Sequence, residues 1–557
     1  MKSLSFPRPT ADLSRTQYDL VVVGGGITGA GIAQDAASRG LKVILVEKGD
    51  FASGTSSKST KLIHGGLRYL DNLQFKVVLE SVRERQLQQQ IAPHMVTTLP
   101  FIIATYRGQR LKNVKLRLGL TLYDAMALGT GTAHQRHRTI SPDEVLRLCP
   151  GIDPRGLTGG IIYLDCRTDD ARHTLEVIKS ACMHGAVALN YTKVVGLIHE
   201  AAGLVSGVEV VDTLADAGSE PAKVRLYGRV VVNATGVWTQ KVTSLVSGGS
   251  STDVVPAKGI HITFSPERLP LKAALIVPSA HDKRFCFAIP WYDSIVVGTT
   301  DTEYNGDLER VVVEPHEKRY MLDALNLRFP GANFSERDIT GEYAGLRPLI
   351  KARGTSSTAD ISREYHLELS PQGLISMAGG KLTTYRRMAK VAVDLVVSQL
   401  APEQDGQGAG PCITDTLMLG GWDPDDEVEA TMAIHGKLAL DLGLDPDTAA
   451  YLPTVYGRRV PEVLMLARGD ARLAEKLSPQ HPYIAAQVTY ALLVEGARTL
   501  DDVLARRMRL AITDYRAALA VAERVADIMA AQLRWSEEAK AAQLETFRKE
   551  WLPCTTR

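Results

Sequence analysis

Residues Tyr18 to Glu47, YDLVVVGGGITGAGIAQDAASRGLKVILVE, constrain the fold more tightly than any other stretch of the chain. Leu20 to Val23 is an apolar run that reads as a buried strand. Gly24, Gly26 and Gly29 follow in G-x-G-x-x-G spacing. A helical pattern runs from about Ile27 to Arg39 and stops at Gly40, and Leu41 to Val46 reads as a second buried strand ended by Glu47. Each part has a physical role. Gly24 permits a tight strand-to-helix turn, Gly26 lets backbone approach a pyrophosphate, and Gly29 allows close helix–strand packing. The helix N-terminus turns unpaired N–H groups toward phosphates. Glu47 can accept hydrogen bonds from ribose hydroxyls, and its charge opposes a 2′-phosphate. Glycine triplet, two strands, helix and acid together point to dinucleotide binding.

At 557 residues the chain is too long for a single core, so two or three domains are expected. Sixty-four Lys+Arg against 63 Asp+Glu leave a net charge of +1, which argues against a nucleic-acid partner. The six cysteines are scattered and form no C-x-x-C pair, so no zinc site or disulfide framework is expected, and a reducing cytoplasm fits best. The first seventeen residues lack an apolar core like that of a signal peptide, and no run of about 18 apolar residues occurs. A protein lying on a membrane surface remains open.

Beyond Glu47, a hydroxyl-rich segment from Thr55 to Thr60 leads to Gly65, Gly66, Arg68 and Tyr69. Arg68 beside a glycine pair reads as a ligand residue for phosphate or carboxylate. In RGQRLKNVKLRLGL, Arg110, Lys112, Lys115 and Arg117 flank a stripe of Leu111, Val114 and Leu118. That is the pattern of a helix in a lipid headgroup layer, and equally of a surface helix packed on its own core. Asp169 or Asp170 is placed to cap a helix ending near Gly185. YGRVVVNATG reads as a strand closing on Thr235 and Gly236, with Trp238 behind. PAKGIHITF puts Lys258 and His261 at a strand start, and residues 284–304 read as two antiparallel strands turning near Asp293. Strand, Gly379-Gly380 and a helix from about Leu382 repeat the N-terminal theme. Residues 401–411 form a linker. Beyond it, 499–512, 514–533 and 537–552 read as amphipathic helices, suited to a cap or an interface.

The motifs GGGITGAGIAQDAASRG, TSSKSTKLIHGGLRYL, TDDAR, NATGVW, KGIHI, IPW, GTTD, GLRPL and GGKLTTYR, in this order, resemble those of the FAD-dependent, respiratory glycerol-3-phosphate dehydrogenases. The resemblance covers residues 18 to about 400, with the helical extension seen in part of that family. It implies an α/β plus α+β architecture like the glycine/D-amino acid oxidases. A doubly wound FAD-binding domain would be built from 18–95, 150–257 and 340–400. An antiparallel-sheet substrate domain would take 96–149 and 258–339, and an all-α C-terminal domain 401–557. Noncovalent FAD, sn-glycerol 3-phosphate as substrate, a membrane quinone as acceptor and a peripheral place on the inner face of the cytoplasmic membrane are likewise implied. A homodimer is expected.

By matched motif, FAD would lie against Gly24, Gly25, Gly26, Ile27, Thr28 and Gly29, and against Glu47 and Lys48. It would continue along Thr55, Ser56, Ser57, Ser59, Lys61, Leu62, His64, Gly65 and Gly66. Val194, Gly236 and Trp238 would line it from one side, Gly380, Lys381, Leu382 and Thr383 from the other. Arg68, Arg363 and Lys381 are candidates for the substrate phosphate, with Tyr69 as a hydrogen-bond donor. Arg347 is the candidate for the reacting oxygen, and His261 for the base. Taken without the resemblance, His261 reads first as a buried strand histidine satisfied by a backbone carbonyl. Two other chemistries stay open: an oxidase reducing oxygen to peroxide, and an amino-acid or sarcosine oxidase of the same fold.

Overall fold

The strand Gln17–Val23 sits at the centre of a mixed sheet, paired in parallel with Val43–Val46 on one side and Val224–Asn233 on the other. Parallel pairing continues outward to Val187–Leu189 and to Leu374–Gly379. The structure is a computed structural model; it describes residues 6–67, 74–108, 110–127, 136–215, 221–246, 253–350, 364–400 and 408–552. The central strands are apolar throughout because both faces are covered. On one face Leu20, Val22 and Leu45 pack against Ile32, Ala36, Val177, Ile178 and Val393 from the helices Ile27–Ser38, Asp170–Met183 and Tyr385–Gln399. On the other, Val21, Val23 and Ile44 meet Val208 and Val210 of an antiparallel layer, Thr192–His199 and Val205–Asp212. Asp169 caps the helix Asp170–Met183 through the Arg172 N–H.

A second, ten-stranded sheet is antiparallel except where Ala274–Pro278 runs alongside Thr97–Tyr106. Near one edge, the strand Val254–Phe264 has Ser294–Gly298 on one side and Gly341–Ile350 on the other. This register sets His261 opposite Gly298 and opposite Tyr343. Lys258 and His261 therefore sit mid-strand rather than at a strand start. Lys258 is buried and pairs with Glu317 at 2.7 Å.

The C-terminal helices share a core that includes Leu452, Val463, Tyr483, Val488, Leu504 and Val525. Residues 499–512 are not the continuous helix their amphipathic pattern predicts. Asp502–Arg507 forms a wide, π-helical turn, Arg509 takes a left-handed conformation with φ +69°, and only Leu510–Thr513 continues as helix. Hydrogen bonds to distant partners override the local preference. Asp502 accepts from the Tyr191 hydroxyl at 2.6 Å, while Arg506 and Arg507 both reach Asp50 at 2.7 Å. Those two guanidiniums offset the cost of burying Asp50 and hold its carboxyl below the usual range.

Candidate functional site

A cavity of about 540 Å³ runs along the carboxyl ends of the central strands. Gly24, with φ +113°, could take no side chain, because a Cβ there would stand 2.6 Å from the Ala234 carbonyl oxygen. A Cβ on Gly29 would lie 1.9 Å from the Gly24 carbonyl oxygen. The close helix–strand packing expected of that position is thus present. Gly26 caps the helix, and the Ile27 N–H donates to Ser56 Oγ at 2.9 Å. Glu47 lines the cavity with its carboxylate already accepting from the N–H groups of Gly25 (2.7 Å) and Gly49 (2.9 Å). Burial raises its pKa, and those two bonds work in the opposite direction.

Of the residues expected at the cofactor, Gly24, Gly26, Ile27, Thr28, Glu47, Lys48, Thr55, Ser56, Val194, Gly236, Trp238, Gly380, Lys381 and Leu382 line this one cavity. The others are not part of its described lining. Ser59 and Lys61 turn to Asp170, and Ser57 presents its carbonyl to Lys61 Nζ. Leu62 lies in a short strand paired with Arg167. The His64 N–H donates to Thr383 Oγ1 at 3.2 Å, tying those two segments together. Gly65 packs under Tyr123, whose hydroxyl would be 2.3 Å from a Cβ, and Gly66 takes φ +76°. Several lining residues have no sequence signal. Lys48 lies 3.8 Å over the Trp238 ring and pairs with Glu309 at 2.6 Å, which closes the cavity mouth from a segment 261 residues away.

At the far end the cavity reaches Pro348, Gly379, Gly380 and Lys381. Arg347, next to Pro348, donates to Thr299 Oγ1 at 2.9 Å and to the Thr300 carbonyl at 3.2 Å. Gly259 leaves room for its guanidinium, since a Cβ there would meet Arg347 at 2.5 Å. His261 is buried, shares a 3.0 Å hydrogen bond between Nε2 and Thr60 Oγ1, and has no partner for Nδ1 among the described residues. It is therefore not the carbonyl-satisfied histidine of the alternative reading. Burial pushes the imidazole well below its ordinary pKa, and the nearby charges of Lys61 and Arg347 push the same way. Arg68, Tyr69 and Arg363 lie outside the described residues. Among the described residues no group of His, Cys, Asp and Glu has a metal-binding arrangement.

A family model described as FAD dependent oxidoreductase matches residues 19–386, and one described as the C-terminal domain of alpha-glycerophosphate oxidase matches 412–540. The chain is 38% identical to a glycerol-3-phosphate dehydrogenase of Mycobacterium leprae, over 95% of its own length and 87% of that protein. It is 36% identical to an aerobic glycerol-3-phosphate dehydrogenase of Staphylococcus epidermidis, over 96% and 94%. Among solved structures, the Bacillus halodurans glycerol-3-phosphate dehydrogenase complexed with FAD superposes with a TM-score of 0.79 at 32% identity, covering 97% of this chain and 96% of that one.

Proposed function

For a chain that belongs to the FAD-dependent glycerol-3-phosphate dehydrogenases, within the FAD dependent oxidoreductase family, we propose that His261 and Arg347 flank the reacting carbon and oxygen of sn-glycerol 3-phosphate and that Lys381 stands toward its phosphate. The glycine cradle, the anchored Glu47 and the long cavity fit FAD, which when bound supplies the two-electron acceptor for the secondary alcohol. The product is dihydroxyacetone phosphate.

Oxidation of the alcohol requires that its hydroxyl proton leave. His261 is held neutral by burial, the form that accepts a proton. Its depressed basicity is offset in part when the substrate brings a phosphate dianion into the same site, because negative charge favours imidazolium. Arg347, locked by Thr299 and the Thr300 carbonyl, is the fixed positive charge beside which an oxyanion develops. Lys381, with Arg68, Arg363 and Tyr69 carried over by motif, serves the phosphate end. The single observation that carries this reading is a buried histidine with one ring nitrogen unpartnered among the described residues, near an anchored arginine.

Electrons then pass to a membrane quinone. Supporting this is the helix Arg110–Ala127, whose Val114, Leu118 and Leu122 are 57%, 67% and 40% exposed in one stripe, with Lys115 and Arg117 exposed at its flanks. Such a stripe suits the surface of an anionic bilayer. Among the described residues no helix is long and apolar enough to cross a membrane.

Anaerobic flavin bleaching tests the substrate. Glycerol 3-phosphate should reduce the bound flavin while D-alanine and sarcosine leave it oxidised; the reverse pattern would overturn the proposal. Quinone reduction without stoichiometric peroxide in air tests the acceptor.

A further inference from the structure

The segment Ser57–Lys61 is gripped from behind by one buried carboxylate. Asp170 accepts from the Ser59 N–H at 2.9 Å, from Ser59 Oγ at 2.7 Å, and from Lys61 Nζ at 2.8 and 2.9 Å. Arg509, from the C-terminal helices, completes the cluster. One of its NH2 groups donates both to Asp170 Oδ1 at 2.9 Å and to the Ser57 carbonyl at 2.8 Å. All three charged side chains are at most 1% exposed. Two of them sit on strained backbone: Lys61 has φ +63° and Arg509 φ +69°. Non-glycine residues keep such conformations only where surrounding contacts over-determine them, and this clustering is typical of functional sites.

The opposite side of the same segment faces His261 and Tyr343. Thr60 Oγ1 bonds His261 Nε2 at 3.0 Å, and the Ser59 carbonyl accepts from the Tyr343 hydroxyl, whose ring lies on His261. Side chains therefore alternate along the segment, Ser59 and Lys61 to the buried carboxylate and Thr60 to the imidazole.

We propose that Arg509 and Asp170 are positioning residues of the active site: through them the C-terminal helices hold Ser57–Lys61 so that Thr60 fixes the orientation of His261. This rests on the reading of His261 as the proton acceptor. It makes the C-terminal helices a working part of the site rather than an appended cap.

The test is a double-mutant cycle in FAD-loaded protein, joining Thr60→Val and Arg509→Met, with flavin-reduction rate, KM and melting temperature measured for each. Each single change should slow flavin reduction about tenfold with KM altered less than about twofold, because orientation rather than binding is lost. The double variant should be no more than about twofold slower than the worse single. Thr60→Ser, which keeps the hydroxyl, should restore most of the rate. Effects that multiply to about a hundredfold would overturn the proposal. So would an Arg509→Met protein that melts lower yet reduces flavin at the normal rate. If Arg509→Met does not fold, Arg509→Lys, which keeps charge but not the two-pronged contact, enters the same cycle under the same criteria. His261→Ala runs alongside. Near-normal turnover there removes the base reading, whereas an impaired His261→Ala with independent Thr60 and Arg509 effects removes this proposal alone.

Discussion

The imidazole of His261 lies flat on the ring of Tyr343, with centroids 4.7 Å apart and planes 11° from parallel. On the neighbouring strand, Gly298 presses against the same imidazole: a Cβ there would stand 2.2 Å from the ring carbon Cδ2. A ring clamped this way has one orientation, which the 3.0 Å bond to Thr60 selects. Gly298→Ala should therefore displace the imidazole without touching the cofactor cavity. Turnover is expected to fall at least about tenfold, while flavin content per chain stays at the wild-type level. Single-turnover flavin reduction measures it; an unaltered rate would mean that the orientation of His261 does not matter.

The glycines divide by what surrounds them. Gly29 faces the Gly24 carbonyl at a distance no Cβ tolerates, whereas Gly40, with φ +89°, has nothing within 4 Å. Gly29→Ala must push the helix Ile27–Ser38 off the central strand and should yield protein without flavin. Gly40→Ala meets only its backbone conformation and should cost about 1–2 kcal/mol of stability with full flavin content. Flavin absorbance and melting temperature, taken together, separate the two outcomes.

These cases also mark what a sequence can carry. The G-x-G-x-x-G turn, the strand leading to Glu47, the Asp169 cap and the antiparallel strands around His261 are local or periodic, and the structure realises each. The cluster around Asp170 is not legible in that way. Asp170 and Arg509 are 339 residues apart, and nothing in TLDDVLARRMRLAI shows that Arg509 would leave the helix. Its amphipathic period matched a continuous helix, and buried charge pairing with Asp50 and Asp170 outweighed that preference. Nor does the hydroxyl-rich run from Thr55 to Thr60 show that Ser59 and Lys61 turn their side chains to Asp170 while Thr60 turns to His261. Glu309, which pairs with Lys48 at the cavity mouth, carries no motif at all.

The exposed stripe on Arg110–Ala127 leads to a binding prediction. Val114, Leu118 and Leu122 recur every fourth residue, so they share one helix face. Replacing Leu118 with Glu should weaken flotation with anionic liposomes severalfold, by removing buried apolar area and adding repulsion. Neutralising Lys115 and Arg117 should weaken it chiefly at low salt. Activity with a soluble dye acceptor should be unchanged in both. Equal flotation by wild type and both variants would assign the stripe to another role.

A pH dependence follows from His481, which ties the turn of the substrate sheet to the last helices. Its Nδ1 lies 2.6 Å from Asp293 and its Nε2 3.4 Å from Asp514. Burial opposes its charge, but the hydrogen bonds and charges of the two aspartates more than offset this and raise its pKa to about 9. The folded value exceeds the unfolded value of about 6.5, so the stabilisation is complete below about pH 6.5 and lost as pH rises through about 9. His481→Gln should lower the melting temperature by several degrees near pH 6, and the gap from wild type should close toward pH 10. Comparing the two proteins across that range cancels other titrating groups. A gap that stays constant or widens with pH would show that His481 is not held as a cation between Asp293 and Asp514.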